Sequence, residues 1–107
     1  MRITSIFALV ALMVAASSAR AENIGVKIEN FTFNPPQIMV HVGDTVTWVN
    51  HDDIPHTVMS KGQGFRSKVL DSDEKFSFTF AAPGNFSYFC SLHPHMTGAI
   101  VVEAAAK

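Results

Sequence analysis

The sequence predicts an all-β fold, a small sandwich of two sheets built from about seven short strands. Three observations carry this. Apolar residues alternate with a period of two in six stretches. Turn residues punctuate those stretches at Pro35-Pro36, Gly43-Asp44, Gly62-Gln63-Gly64 and Pro83-Gly84. Nothing beyond residue 21 carries a strong helical period, so a two-layer β arrangement is the way left to bury the apolar faces.

The first segment stands apart from this pattern. Met1-Arg2 is followed by a largely apolar run from Ile3 to Ala16, then by small residues ending Ala19-Arg20-Ala21. A basic start, a short apolar stretch and an A-x-A ending make up a secretory signal peptide, cut after Ala19 or Ala21. The run is shorter than the roughly 20 residues a membrane-spanning helix needs. No cysteine lies near the cut to take a lipid anchor. The expected division is a signal peptide over 1–21 and one domain over 22–107, a length suited to a modest core. A buried N-terminal helix or an uncleaved anchor is the competing reading of the same residues.

The strands follow in order. Ile24, Val26 and Ile28 alternate, and so do Ile38, Val40 and Val42, which leaves Met39 and His41 on the other face. After the Gly43-Asp44 turn, Val46 and Trp48 share a side. Phe76, Phe78 and Phe80 alternate without a break, then Phe86, Tyr88 and Cys90, and the chain closes with Ile100 and Val102. The β-branched and aromatic enrichment reads as half-buried antiparallel strands. Residues 60–72 read as a long connection.

Charge excludes one class of partner. Without Arg2 and Arg20 the domain holds six Lys+Arg against nine Asp+Glu, a formal charge of −3. No basic patch remains for nucleic acid. The single cysteine has no internal disulfide partner, and a free thiol in an oxidising compartment is a liability unless buried or occupied. Cys90 is therefore either a core residue or a ligand.

Its neighbours decide between the two. Cys90 shares the core face with Phe86 and Tyr88 and ends its strand, where the chain is expected to turn at Pro94. His93 and Met96 follow in the spacing C-x2-H-x2-M. Individually each of these is an ordinary core or turn residue, but Cys, His and Met at ligand spacing seldom gather by chance. Three ligands from one loop leave a fourth to come from elsewhere. His56, behind Pro55 and ahead of Thr57-Val58-Met59, is the best candidate. His41 alternates away from the core and His51 sits in an acidic turn beside Asp52 and Asp53, where solvation is the default. Two imidazoles and a thiolate with a weak thioether describe a blue-copper site. Zinc takes methionine poorly, a non-haem iron triad needs a carboxylate, and a thiol protease needs an orienting group and an oxyanion hole.

The stretches GDTVTWVNHDDIPHTV and FTFAAPGNFSYFCSLHPHMTGAIVVE resemble the cupredoxins, and within them the amicyanin-type small blue copper proteins. The resemblance covers most of residues 24–103. It implies a Greek-key sandwich of eight strands and one type 1 copper held by His56, Cys90, His93 and Met96. It also places the Thr57 N–H toward the cysteine sulfur. Two residues depart from the family pattern. Leu92 stands where proline is usual, and it has an N–H to donate to the Cys90 sulfur. Such a bond favours Cu(I) and gives a higher reduction potential than Leu92→Pro. His95 replaces an apolar residue and makes the docking face more polar and pH-sensitive.

The function so implied is one-electron transfer in the periplasm. The protein is expected to be a monomer with no enzymatic activity and no stable membrane association. Electrons leave by the His93 ring edge, and Ile54, Pro55, Leu92, Pro94 and His95 form a patch for transient redox partners. Those partners are a c-type cytochrome or a periplasmic dehydrogenase or oxidase. The alternative is a periplasmic copper-binding protein for delivery or resistance. It needs an open Met- or His-rich tract, which the sequence lacks.

Overall fold

Strand alternation becomes two sheets facing one another across an aromatic core. The computed structural model describes residues 21–62 and 64–105, so the expected signal peptide lies outside the described residues apart from Ala21. Eight strands follow in chain order: β1 (Asn23–Glu29), β2 (Thr32–Asn34), β3 (Gln37–His41), β4 (Thr45–Asn50), β5 (Met59–Ser60), β6 (Lys75–Thr79), β7 (Gly84–Cys90) and β8 (His93–Glu103). One sheet runs β2-β1-β4-β6 and the other β3-β8-β7-β5.

Two pairings correct the antiparallel expectation. β1 lies parallel to β4, with Val26 beside Trp48, and β3 lies parallel to β8, with Val40 beside Val102. Alternation states which side of a strand is buried, but neither its neighbour nor that neighbour's direction. Direction is set here by the chain crossing from β2 to β3 in the opposite sheet and back to β4.

β2 is an element the sequence reading passes over, because three residues give too little alternation. It places Phe33, 2% exposed, in the core. The hairpin joining β1 to β2 turns on two residues, Asn30 and Phe31, with φ of 53° and 58°. Consecutive left-handed residues match the twist of a tight hairpin. Asn tolerates that conformation, whereas a bulky Phe adopts it only if something holds it.

The core is aromatic at its centre. Trp48 and Tyr88 are fully buried and meet edge to face at 5.5 Å, and Phe33 meets Tyr88 at 4.6 Å. The expected long connection over residues 60–72 contributes as well. It is stitched to the body by His56 N–H to Leu70 O at 3.1 Å, Leu70 N–H to His56 O at 2.8 Å and Ser67 N–H to Val58 O at 2.8 Å. It drives Phe65 and Leu70 into the core. Burying each large apolar side chain contributes about 1.5–3 kcal/mol.

The last hairpin differs from its expected form and sets the site. β8 begins at His93, and Cys90 pairs with His93 after an irregularity between Phe89 and Cys90. The chain thus turns at Ser91-Leu92 and not at Pro94, which lies within β8. A turn of only two residues fixes the Cys90-to-His93 offset more tightly than a loose loop.

At the opposite end, the β3–β4 turn uses Gly43 at φ 99°. The Asp44 carboxylate beside it accepts N–H bonds from Glu22 and His41. His41 lies here, 4.0 Å from both Asp44 and Glu103.

Tyr88 and Gly98 face one another across β7 and β8. The phenol ring lies over the glycine, so that a Cβ at residue 98 would overlap Cζ and the hydroxyl of a side chain packed on every side. Gly98→Ala is expected to destabilise the protein by about 1–3 kcal/mol through overpacking, read as a lower urea midpoint with an unchanged slope.

Candidate metal centre

The site lies where the β7–β8 hairpin meets the segment between β4 and β5. Period-two alternation points the Cys90 side chain inward, and the cysteine is completely buried. The two-residue turn then returns His93 beside it. From the facing segment, the bridge between His56 and Leu70 fixes the His56 backbone. His56 is buried and His93 is partly exposed.

The two imidazoles present the same atom to the sulfur. His56 Nδ1 lies 3.7 Å from Cys90 Sγ and His93 Nδ1 lies 3.6 Å from it. The ligand-type atoms of all three residues fall within 4.8 Å of one another. A metal bound at about 2.0 Å from nitrogen and about 2.3 Å from sulfur spaces such donors by about 3.6–3.8 Å. The gap is therefore the size of a metal ion. Met96, 4% exposed, lies three residues further along β8 and adds a buried thioether at the same end. Thiolate, thioether and two imidazoles, with no carboxylate among them, match copper better than zinc or iron. His41 and His51 are outside this cluster, the one of its kind among the described residues.

Thr57, the residue after His56, works on the sulfur. Its N–H donates to Sγ at 3.3 Å and its hydroxyl lies 3.8 Å away. The Thr57 hydroxyl also accepts the Ser91 N–H at 2.8 Å, which ties the two segments together directly. The expected donation from Leu92 to the same sulfur is absent among the described residues, where the backbone donor is that of Thr57. Leu92 occupies the outer corner of the turn, 47% exposed, while the sulfur points inward. The ground for a lower potential in Leu92→Pro goes with it.

Two neighbours escape the sequence reading. The Asp52 carboxylate meets His56 Nε2 at 2.8 Å and accepts N–H bonds from Asn30 at 2.7 Å and Phe31 at 3.0 Å. Burial opposes its charge, but the bonds from Phe31, Asn30 and His56 outweigh that and hold the carboxyl below its usual range. An acceptor on Nε2 leaves Nδ1 free of its proton and aimed at the gap. The signal was the four-residue spacing of Asp52 and His56, masked by the ordinary look of an acidic turn. The second neighbour is Phe31, held in its left-handed conformation through Asp52. Its ring meets His56 edge to face at 5.4 Å and His93 at 5.0 Å.

The remaining expected surface residues gather nearby in sequence. Ile54, Pro55, Leu92, Pro94 and His95 are all exposed. Asp52→Ala is expected to weaken copper binding about 10–100-fold, the usual effect of removing a ligand's hydrogen-bond partner. Competition with a chelator of known affinity checks this.

Comparison with known proteins agrees with the fold. A family model described as a cupredoxin-like domain matches residues 2–102. The amicyanin of Paracoccus versutus is 36% identical over 95 residues, covering 84% of this chain and 72% of that one. Amicyanin-alpha of Methylorubrum extorquens is 38% identical over 94 residues, covering 83% of this chain and 79% of that one. The Cu(I) form of an amicyanin methionine-to-alanine variant matches with a TM-score of 0.72 at 34% identity, covering 76% of this chain and 82% of that one. This chain belongs to the cupredoxin family and is amicyanin-like in both sequence and fold.

Proposed function

We propose that the chain is an exported one-electron carrier that holds a single type 1 copper through His56, Cys90, His93 and Met96. The observation that carries this is the pair of Nδ1 atoms set 3.6 and 3.7 Å from one buried sulfur. Bound copper supplies the Cu(II)/Cu(I) couple. The chain's residues supply the rest. Asp52 and the His56–Leu70 bridge hold one imidazole, the tight turn holds the other, and Thr57 steadies the thiolate. Ligands fastened this way move little between oxidation states, which suits rapid electron exchange. Four protein donors leave no coordination position for a substrate, which favours a carrier over an enzyme.

His93 is the partly exposed ligand, and its ring edge provides the path outward. Around that end Ile54 and Leu92 expose 40% and 47% of their surface, and Phe31 exposes 45%. With Pro55, Pro94 and His95 they make a docking patch for a transient redox partner, a c-type cytochrome or a periplasmic dehydrogenase or oxidase. Such encounters bury little area and break quickly. Export to the periplasm rests on the leader pattern of residues 1–21. No helix of the described residues is long and apolar enough to cross a membrane.

The copper-loaded protein is expected to be intensely blue and to bleach reversibly with reductant, and Cys90→Ala is expected to lose the colour. A colourless wild type that gives up copper readily would place it with delivery proteins instead. Ile54→Asp and Leu92→Asp are expected to slow reduction of a c-type cytochrome by about tenfold without moving the potential, because a desolvated charge penalises docking alone. Stopped-flow rates and voltammetry separate the two effects.

A further inference from the structure

Asp44 is 4% exposed. Its Oδ2 accepts the His41 N–H at 2.8 Å and its Oδ1 accepts the Glu22 N–H at 2.9 Å. These bonds, Glu22 first and His41 second, hold the carboxyl below its usual range against the cost of burial. Glu22 is fastened again through its carbonyl, which accepts the Thr45 N–H at 2.9 Å. The parallel ladder between β1 and β4 begins one residue later, at Asn23 and Thr45. The Glu22 nitrogen thus sits at the head of that ladder, against a carboxylate. A peptide N–H offers this site one bond, whereas an ammonium offers three donors and a full charge.

The leader pattern allows a cut after Ala19 or after Ala21. The first puts the new amine on Arg20, ahead of the Asp44 contact. The second puts it on the Glu22 nitrogen itself. We propose that the Ala21–Glu22 bond is the processing site and that Asp44 captures the α-ammonium the cut creates. This rests on the export reading above. A leader peptidase of the exporting cell adds water across the bond. Ala21 leaves as the carboxylate end of the leader, and Glu22 keeps the nitrogen, which takes up a proton. Ala21 and Glu22 are both exposed, and the cut precedes folding, when the Glu22 backbone is not yet fastened. Processing then exchanges a hydrogen bond from a neutral peptide N–H for an ion pair, and the first strand is held more firmly in the mature chain.

The titratable groups around the amine's position are Asp44, His41 at 4.0 Å from Asp44, Glu103 at 4.0 Å from His41, and the Glu22 side chain. An amine with a carboxylate partner has a folded pKa above its ordinary value of about 7.7–8.0. Its contribution is therefore complete below about pH 7.7 and is lost as pH rises through the raised value.

Export of the full chain from a bacterial host, followed by intact mass and N-terminal sequencing, is expected to give a protein beginning at Glu22. A start at Arg20 overturns this proposal and leaves the export reading standing, whereas a chain still beginning at Met1 overturns the export reading itself. Two leaderless chains released from a removable tag test the capture. The one beginning at Glu22 is expected to melt about 4 °C or more above the one beginning at Ala21 near pH 6. That gap is expected to close near pH 10, by the sign just given, and to vanish when both carry Asp44→Asn. Equal melting temperatures, or a gap that survives either change, overturn the capture, and the pH series alone decides it if Asp44→Asn does not fold.

Discussion

The Asp52 carboxylate joins two parts of the molecule that share no strand ladder at that point, the turn between β1 and β2 and the segment between β4 and β5. It accepts the N–H groups of the Asn30-Phe31 turn and meets the far nitrogen of His56. Hydrogen bonds to a charged group contribute about 1.5–3 kcal/mol each. Withdrawing this acceptor releases Phe31 from its left-handed conformation and the His56 ring from its orientation together. The site's shape thus depends on one side chain that no metal would touch.

The sandwich complements that junction. A thiolate inside an apolar core is costly unless charge is shared with donors. Cys90 finds them in Thr57 on the facing segment, and the Thr57–Ser91 bonds keep the two segments in register. Sequence neighbours thus divide the labour. His56 presents nitrogen to the gap while Thr57 steadies the sulfur, and the tight turn after Cys90 aims His93 at the same point.

Much of this was legible in the residues. The period-two runs ending in Phe80, Cys90 and Val102 locate the strands and their buried faces, because alternation is a local property of the pleat. The C-x2-H-x2-M spacing and the proline before His56 mark the cluster for a related reason, since ligand chemistry is written in residue type. What escaped is relational. The parallel pairing of β1 with β4 depends on where the chain crosses between sheets. The role of Asp52 depends on a hairpin turn 21 and 22 residues away. The Leu92 N–H is not a donor to the sulfur because the geometry of a turn decides which N–H faces inward, whereas the Thr57 donor was expected from the resemblance. Phe31 gave no signal, because its contacts with two imidazoles exist only once both segments have met.

The last-paired hairpin has a temporal meaning. Cys90 and His93 are neighbours along the chain, but the sulfur's other partners, His56 and Thr57, lie 34 and 33 residues upstream. β8 finds β3 across an even longer span, joining Gln37 to Ala99. Contacts of such separation form late, after most of the loop entropy has been spent. A chain threading out from its N-terminus delivers those partners before the hairpin that carries the thiol. Cys90 is therefore unprotected only briefly, between its arrival and the closure of the second sheet. Because His56 and Thr57 precede the sole thiol in the chain, they are already present when it arrives, which shortens the interval in which it is open to oxidation.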